Sequence, residues 1–334
     1  EADVLAAPIS ADAGWPADPS TDMGPRFAPA IAALRDLGEP VDDNHVATLV
    51  SVDGSGAPWV LAVGIDQGGS VDARDAVRLG ATIVRRLAGR RVNRLAVWLP
   101  DRLCGEGIDR GSLVELVVRG IVEGTYDPGL IYRDKVHDPP LALDELILIV
   151  DALDDTVGQR AERGRIIGEG TNDARTLSQR SADDLTPARF AEEAEARGKE
   201  FGWRVEILGP DEAAALGMGM FVALGRGSDR PPRMILVRTA PDRALDAQGR
   251  LVAFVGKGVT FDAGGINLKT DMPTMGDERI DKAGGAAVLA ALTTLSRLAP
   301  DVPVLGVIAA IENMPGPHSV IPGDVVRALN GLTV

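Results

Sequence analysis

Short apolar runs alternate with segments of helical period along the first half of the chain, and few architectures accept that alternation. The runs "DVLAAPI" (Asp3 to Ile9), "HVATLVSV" (His45 to Val52), "PWVLAVGI" (Pro58 to Ile65), "RLAVWLP" (Arg94 to Pro100) and "LILIVD" (Leu146 to Asp151) are rich in Val, Ile and Leu and read as buried strands. Between them, "DARDAVRLGATIVRRLAG" (Asp72 to Gly89) and "GSLVELVVRGIVEGTY" (Gly111 to Tyr126) carry apolar residues at helical spacing. This order predicts a mostly parallel sheet covered by helices. No glycine-rich phosphate cradle follows any of these strands, so no nucleotide site is expected.

From Asp154 to about Ser181 the apolar content drops and charges interleave, as in an exposed linking helix. A second α/β region opens at "SADDLTPARFAEEAEARGKEFG" (Ser181 to Gly202), where Thr186 followed by Pro187 forms a helix-start signature. Strand "WRVEIL" (Trp203 to Leu208), helix "DEAAALG" (Asp211 to Gly217) and strands "MILVRTA" (Met234 to Ala240), "LVAFVGKG" (Leu251 to Gly258) and "VPVLGVIAAIE" (Val302 to Glu312) follow. The expected fold class is therefore α/β, with two domains, each a mostly parallel or mixed sheet flanked by helices. The expected divisions are an N-terminal α/β domain over 1–152, a linking helix over 153–180 and a second domain over 181–334.

Composition removes several function classes. A net charge of −14 repels phosphate backbones, which disfavours nucleic acid as a partner. The one dense basic run, "RRLAGRRVNR" (Arg85 to Arg94), reads as the solvated end of a helix and its turn. No apolar run approaches the roughly 20 residues of a membrane helix. The opening "EADVLAAPIS" lacks the basic flank and apolar core of a signal peptide. Cys104 is the only cysteine and reads as a small core residue, so no internal disulfide is available and a cytoplasmic location is expected. His45 and His137 have no ligand-like spacing, and His318, in "NMPGPHSVIPGD", reads as an exposed loop histidine.

The chemistry gathers in "VAFVGKGVTFDAGGINLKTDMPTMGDERIDKAGGAAVLAAL", Val252 to Leu292. In open α/β sheets ligands bind beyond the carboxyl ends of the strands. Lys257 is expected at such an end, with Asp262 and Lys269 in the loop after it and Gly256, Gly258, Gly264 and Gly265 letting the backbone fold tightly. A carboxylate beside lysines has a depressed pKa, and a lysine held among metals can lose its proton and act as a ligand. An ordinary Lys–Asp ion pair at a loop explains any one pair, but explains the whole constellation poorly.

"VGKGVTFDAGGINLK" resembles the signature of the leucyl (cytosol) aminopeptidase family, in which Gly-Lys-Gly, Thr-Phe-Asp-Ser-Gly-Gly and a following Lys stand at this spacing. "LTPARFAEEA", "LGMGMFVALGRGS" with "PPRMILV", and "ENMPGPHSVIPGDVVRALNGLTV" fall in the family's order. The resemblance is specific from about Arg165 onwards and only architectural before it. It implies a site for two divalent metal ions (zinc, manganese or magnesium) that removes N-terminal residues from peptides. By resemblance, Lys257 is a ligand of one metal, Asp262 contacts both, and Lys269 is the catalytic lysine that polarises the scissile carbonyl. The stretch from Met272 to Met275 would line the substrate pocket, and the assembly would be a hexamer of two trimers.

Three departures from the family pattern bear on the site. Where the family has Asp-Met-Gly-Gly-Ala-Ala-Ala-Val, this chain has "DKAGGAAV". Aligned on the trailing Ala-Ala-Val, Asp281 takes the metal-ligand position. Aligned on the Gly-Gly pair, Lys282 takes it, and an ammonium repels a divalent ion, so Asp281 is preferred. Ala263 stands where the family has serine, which removes no ligand. Third, the family runs on from the counterpart of "NGLTV" into Asn-Thr-Asp-Ala-Glu-Gly-Arg, which carries further Asp and Glu ligands and a bicarbonate-like anion site. The residues up to Val334 contain the N-terminal part of such a catalytic domain. The expectation is proteolytic processing at Val334, with a second chain bringing the remaining ligands.

The function expected from these features is a metal-dependent aminopeptidase-like hydrolase, or a divergent relative acting on another amide or acyl substrate. The alternative is a catalytically impaired relative that serves as a scaffold or regulator.

Overall fold

The computed structural model describes residues 2–9, 47–51, 57–65, 69–244 and 248–334, so His45 lies outside the described residues. It contains two compact units, 1–169 and 170–334.

In the first unit, strands β1 (Val4–Ile9), β2 (Ala47–Ser51), β3 (Trp59–Gly64), β4 (Arg94–Leu99) and β5 (Glu145–Val150) form one sheet in the order β2-β3-β1-β4-β5. All pairings are parallel except β2 with β3. Helices α1 (Ala73–Arg86) and α2 (Arg110–Gly124) are capped by Asp72 and Asp109, which accept from the N–H groups of Asp75 and Ser112. The two helices meet at glycines. A Cβ on Gly80 would stand 2.1 Å from the Val117 carbonyl oxygen, and one on Gly120 would stand 2.0 Å from that of Val77. Leu79, Ile83, Leu95, Val97, Val114 and Val117 fill the core beneath.

Helix α3 (Asp155–Gln179) spans the division between the units. The second unit continues with α4 (Pro187–Phe201), β6 (Arg204–Leu208), α5 (Pro210–Ala215), α6 (Gly219–Gly225), β7 (Arg233–Arg238), β8 (Val252–Asp262), α7 (Met272–Asp277), α8 (Ala283–Leu298) and β9 (Val304–Asn313). Thr186 caps α4, Pro187 occupies its first turn, and Gly202 ends it in the left-handed conformation at φ 70°. The sheet order is β6-β7-β9-β8, and only β8 with β9 is parallel. The fold class is thus α/β with two mixed sheets, each flanked by helices. Phe190, Trp203, Ile235, Val237, Leu289 and Ile308 centre the second core.

β8 differs from its sequence reading. The apolar run predicts a strand ending at Gly258, but β8 continues to Asp262 because Val259, Phe261 and Asp262 keep pairing with Ile311, Glu312 and Asn313 of β9. The register shifts between Val259 and Phe261, which re-aims the residues beyond it. Asp262, not Lys257, therefore stands at the carboxyl end of the strand.

Candidate functional site

Three backbone segments build the site: the end of β8, the loop after it, and the turn leading into α8. Glycines on both sides let α8 approach β8 closely. A Cβ on Gly256 would lie 2.5 Å from the Gly284 carbonyl oxygen, and one on Gly285 would lie 2.7 Å from Ile308 Cγ2. In the loop, Gly264 and Gly265 adopt φ 91° and 64°, a conformation that strains other residues. This tight reversal brings Lys269 back to Ala263, whose carbonyl accepts from the Lys269 main-chain N–H at 3.0 Å.

The side chains converge accordingly. The Lys269 ammonium stands 2.8 Å from Asp262 Oδ2 and 2.6 Å from Glu278 Oε1. Asn313 Nδ2 donates to Asp262 Oδ1 at 2.6 Å, and the Gly264 N–H donates to the same oxygen at 3.1 Å. The Lys257 ammonium lies 2.8 Å from Asp281 Oδ2. One oxygen from each of Asp262, Glu278 and Asp281 falls within 4.8 Å of the other two.

The electrostatics follow from these contacts. Burial pushes the Asp262 carboxyl up, but hydrogen bonds from Lys269, Asn313 and Gly264 outweigh it and hold the group below the usual carboxylate range. Burial pulls Lys269 down, and its bonds to Asp262 and Glu278 more than reverse this, keeping the ammonium above the ordinary lysine value. Lys282 is the exception. Burial, with Arg279 and Arg180 nearby, lowers it to about 8.

The sequence-predicted residues Lys257, Asp262, Lys269 and Asp281 thus come together. Lys282 turns away from them into the interior, where its Nζ donates to the carbonyls of Arg279 and Thr260. Met272 and Met275 lie on α7, between Lys269 and Glu278 in sequence, with Met272 exposed and Met275 half-buried. His318 and His137 are exposed and do not join the cluster.

Two participants escape the sequence reading. Glu278 stands three residues before Asp281 on the same turn, and that spacing was the available signal. Asn313 is brought in only by the β8–β9 register, which no local pattern announces.

The donor set fits a hard or borderline divalent cation, since it offers three carboxylates and an amine. A specific observation supports the fit. Asp281 Oδ2 is buried, with the Lys257 ammonium 2.8 Å away and no hydrogen bond to it. A divalent cation would take that ammonium's place beside the oxygen.

Residues 172–334 match the description "Cytosol aminopeptidase family, catalytic domain", and residues 40–128 match that family's N-terminal domain. A probable cytosol aminopeptidase of Solibacter usitatus is 36% identical over 280 residues, covering 83% of this chain and 55% of that protein. One of Chlorobium luteolum is 32% identical, covering 100% of this chain and 67% of that protein. The chain therefore spans little more than half to two thirds of the length of these relatives. Among solved structures, the bottromycin maturation enzyme BotP in complex with Mn matches with a TM-score of 0.79 at 29% identity, covering 100% of this chain and 64% of that one.

Proposed function

Because the chain belongs to the cytosol aminopeptidase family, we propose that its second unit is the metal-bearing part of an aminopeptidase that removes N-terminal residues from peptides. The observation that carries the proposal is the convergence of Asp262, Glu278 and Asp281, with the buried oxygen of Asp281 left without a hydrogen bond. Asp262, Asp281 and the Lys257 amine would hold divalent ions, and Glu278 adds a carboxylate within reach of the same place. The Mn-bound BotP relative favours manganese among zinc, manganese and magnesium.

Bound divalent ions supply Lewis acidity and a water of lowered pKa. The rest is the work of the chain. Asp262, held ionised by its three hydrogen-bond donors, presents fixed negative charge at the strand end. Lys269, positioned by the loop reversal and kept charged, supports the negative charge that develops on a scissile carbonyl oxygen. Met272 and Met275 offer apolar surface for the side chain of the substrate.

The finer parts of the proposal are a second polypeptide carrying further Asp and Glu ligands, a hexameric assembly and a cytoplasmic setting. Among the described residues β8 is the edge of its sheet, and Val252, Phe254 and Val255 along it are exposed. The last two rest on family resemblance. No described helix is long and apolar enough to cross a membrane.

Release of p-nitroaniline from leucine p-nitroanilide by the purified protein tests the activity. Hydrolysis that stops on chelation and returns with Mn²⁺ is the expected result. A rate indifferent to chelation would overturn the metal mechanism. Bound metal without turnover of any peptide would favour the scaffold reading.

A further inference from the structure

Lys282 is 0% exposed, one of the largest fully buried side chains among the described residues. A lysine is rarely buried so completely without an acidic partner. Its acceptors are two main-chain carbonyls, that of Arg279 and that of Thr260 at 3.5 Å, and Asp184 attracts it without forming an ion-pair contact. Arg279 lies between Glu278 and Asp281. Thr260 lies two residues before Asp262, inside the register shift that ends β8. One ammonium therefore joins the two backbone segments that carry all three carboxylates.

We propose that Lys282 is a positioning residue, whose buried ammonium fastens the Glu278–Asp281 turn to β8 beside Asp262 and so assembles the carboxylate cluster before a cation arrives. The side chains of the turn are tied through Lys269 to Glu278, Lys257 to Asp281 and Arg279 to Gln179, whereas Lys282 grips its main chain. Within it, the Asp281 N–H reaches the Glu278 carbonyl at 3.2 Å, and beyond it the Lys282 carbonyl accepts from Ala286 N at 2.9 Å as α8 begins. An apolar side chain of similar length fills the same space, so packing alone does not call for an ammonium. Burying a charge without an ion-pair contact costs stability, and replacing it with a hydrophobic residue is often neutral or stabilising. That cost is consistent with a function in holding the site. Lys257 and Lys269 offset the mutual repulsion of the three carboxylates through their side chains, and Lys282 fixes the main chain between two of them.

The inference rests on the metal reading proposed above, and the experiment separates the two. Mn²⁺ binding to the intact protein is followed by electron paramagnetic resonance, alongside the melting temperature of the metal-free form, for wild type and Lys282→Met. The expected result is Mn²⁺ affinity weakened by about tenfold or more, as for loss of partners that orient ligands. An altered Mn²⁺ spectrum and a metal-free melting temperature unchanged or raised complete it. Unchanged affinity and spectrum would overturn the role of Lys282. Affinity and melting temperature falling together would reduce Lys282 to a structural residue and also overturn it. Failure of the wild type itself to take up Mn²⁺ would instead sink the metal reading. If Lys282→Met does not fold, amide hydrogen exchange on metal-free wild type decides. Residues 278–281 should be protected without metal, and protection that appears only with Mn²⁺ would contradict preassembly.

Discussion

β1 and β8 are both runs that sequence reads as buried strands, yet they end in opposite situations. β1 sits between β3 and β4, and all six of its residues are buried. β8 sits at the edge of its sheet, with Val255 77% exposed, and only its second half goes inside. The first unit buries its central strands in a core. The second threads glycines through β8 and places Lys257 and Asp262 where that strand meets α8. The comparison teaches that an apolar run reports the tendency to pair, and that neighbours decide whether it becomes core or the rim of a site.

The sharpest way to test this division is at Lys269. Lys269→Ala should lower kcat by roughly two to three orders of magnitude, as for loss of an oxyanion donor, with metal content preserved. Equal loss of metal and activity would make Lys269 structural, and steady-state kinetics with elemental analysis distinguishes the outcomes.

Next come the glycines, which make close contacts in both units. Gly120→Val drives a Cβ into the Val77 carbonyl, and Gly256→Val drives one into that of Gly284. Each should cost about 1–3 kcal/mol by overpacking, measured by chemical denaturation. Only Gly256→Val should also weaken Mn²⁺ binding, because it pushes α8 and Asp281 away from Lys257. Equal weakening by Gly120→Val would erase the functional contrast between the units.

A smaller effect is expected from acid. The folded-state pKa of Asp262 is lowered, so its stabilising contribution is present above the ordinary carboxylate value near 3.9 and fades as pH falls through the lowered folded value. The stability difference between metal-free wild type and Asp262→Asn should therefore shrink below about pH 4. A difference that persists unchanged to about pH 2 would mean the Lys269 and Asn313 contacts do not act through the charge.

The smallest effect belongs to Met272, which is 71% exposed. Met272→Ala should leave stability within about 0.5 kcal/mol and raise KM for apolar peptides only a few-fold. A large fall in kcat would place Met272 closer to the chemistry than α7 suggests.

Much of this was legible in the sequence. Strand–helix alternation yields both sheets, and the Thr186-Pro187 signal starts α4 as read. Lys257, Asp262, Lys269 and Asp281 were all nameable because they lie within one stretch whose spacing carries the family resemblance. What was not legible depends on contacts distant in sequence. Asn313 reaches Asp262 only through strand register, and the continuation of β8 past Gly258 depends on a partner strand. The antiparallel pairing of β6, β7 and β9 likewise follows from how the elements pack, since their apolar runs look the same in either direction. Lys282 shows the limit from the other side. Its charge suggests a surface or a site, and only the fold reveals that its ammonium is spent on two carbonyls.

The central claim is that Asp262, at the end of β8, is the hub of a divalent-metal site. Metal content of the purified protein after exposure to Mn²⁺ and removal of free ion, wild type beside Asp262→Asn, tests it most directly. Wild type should retain Mn²⁺ in stoichiometric amount and Asp262→Asn should lose it, with both proteins showing the same circular dichroism spectrum. Equal Mn²⁺ content in the two proteins would contradict it.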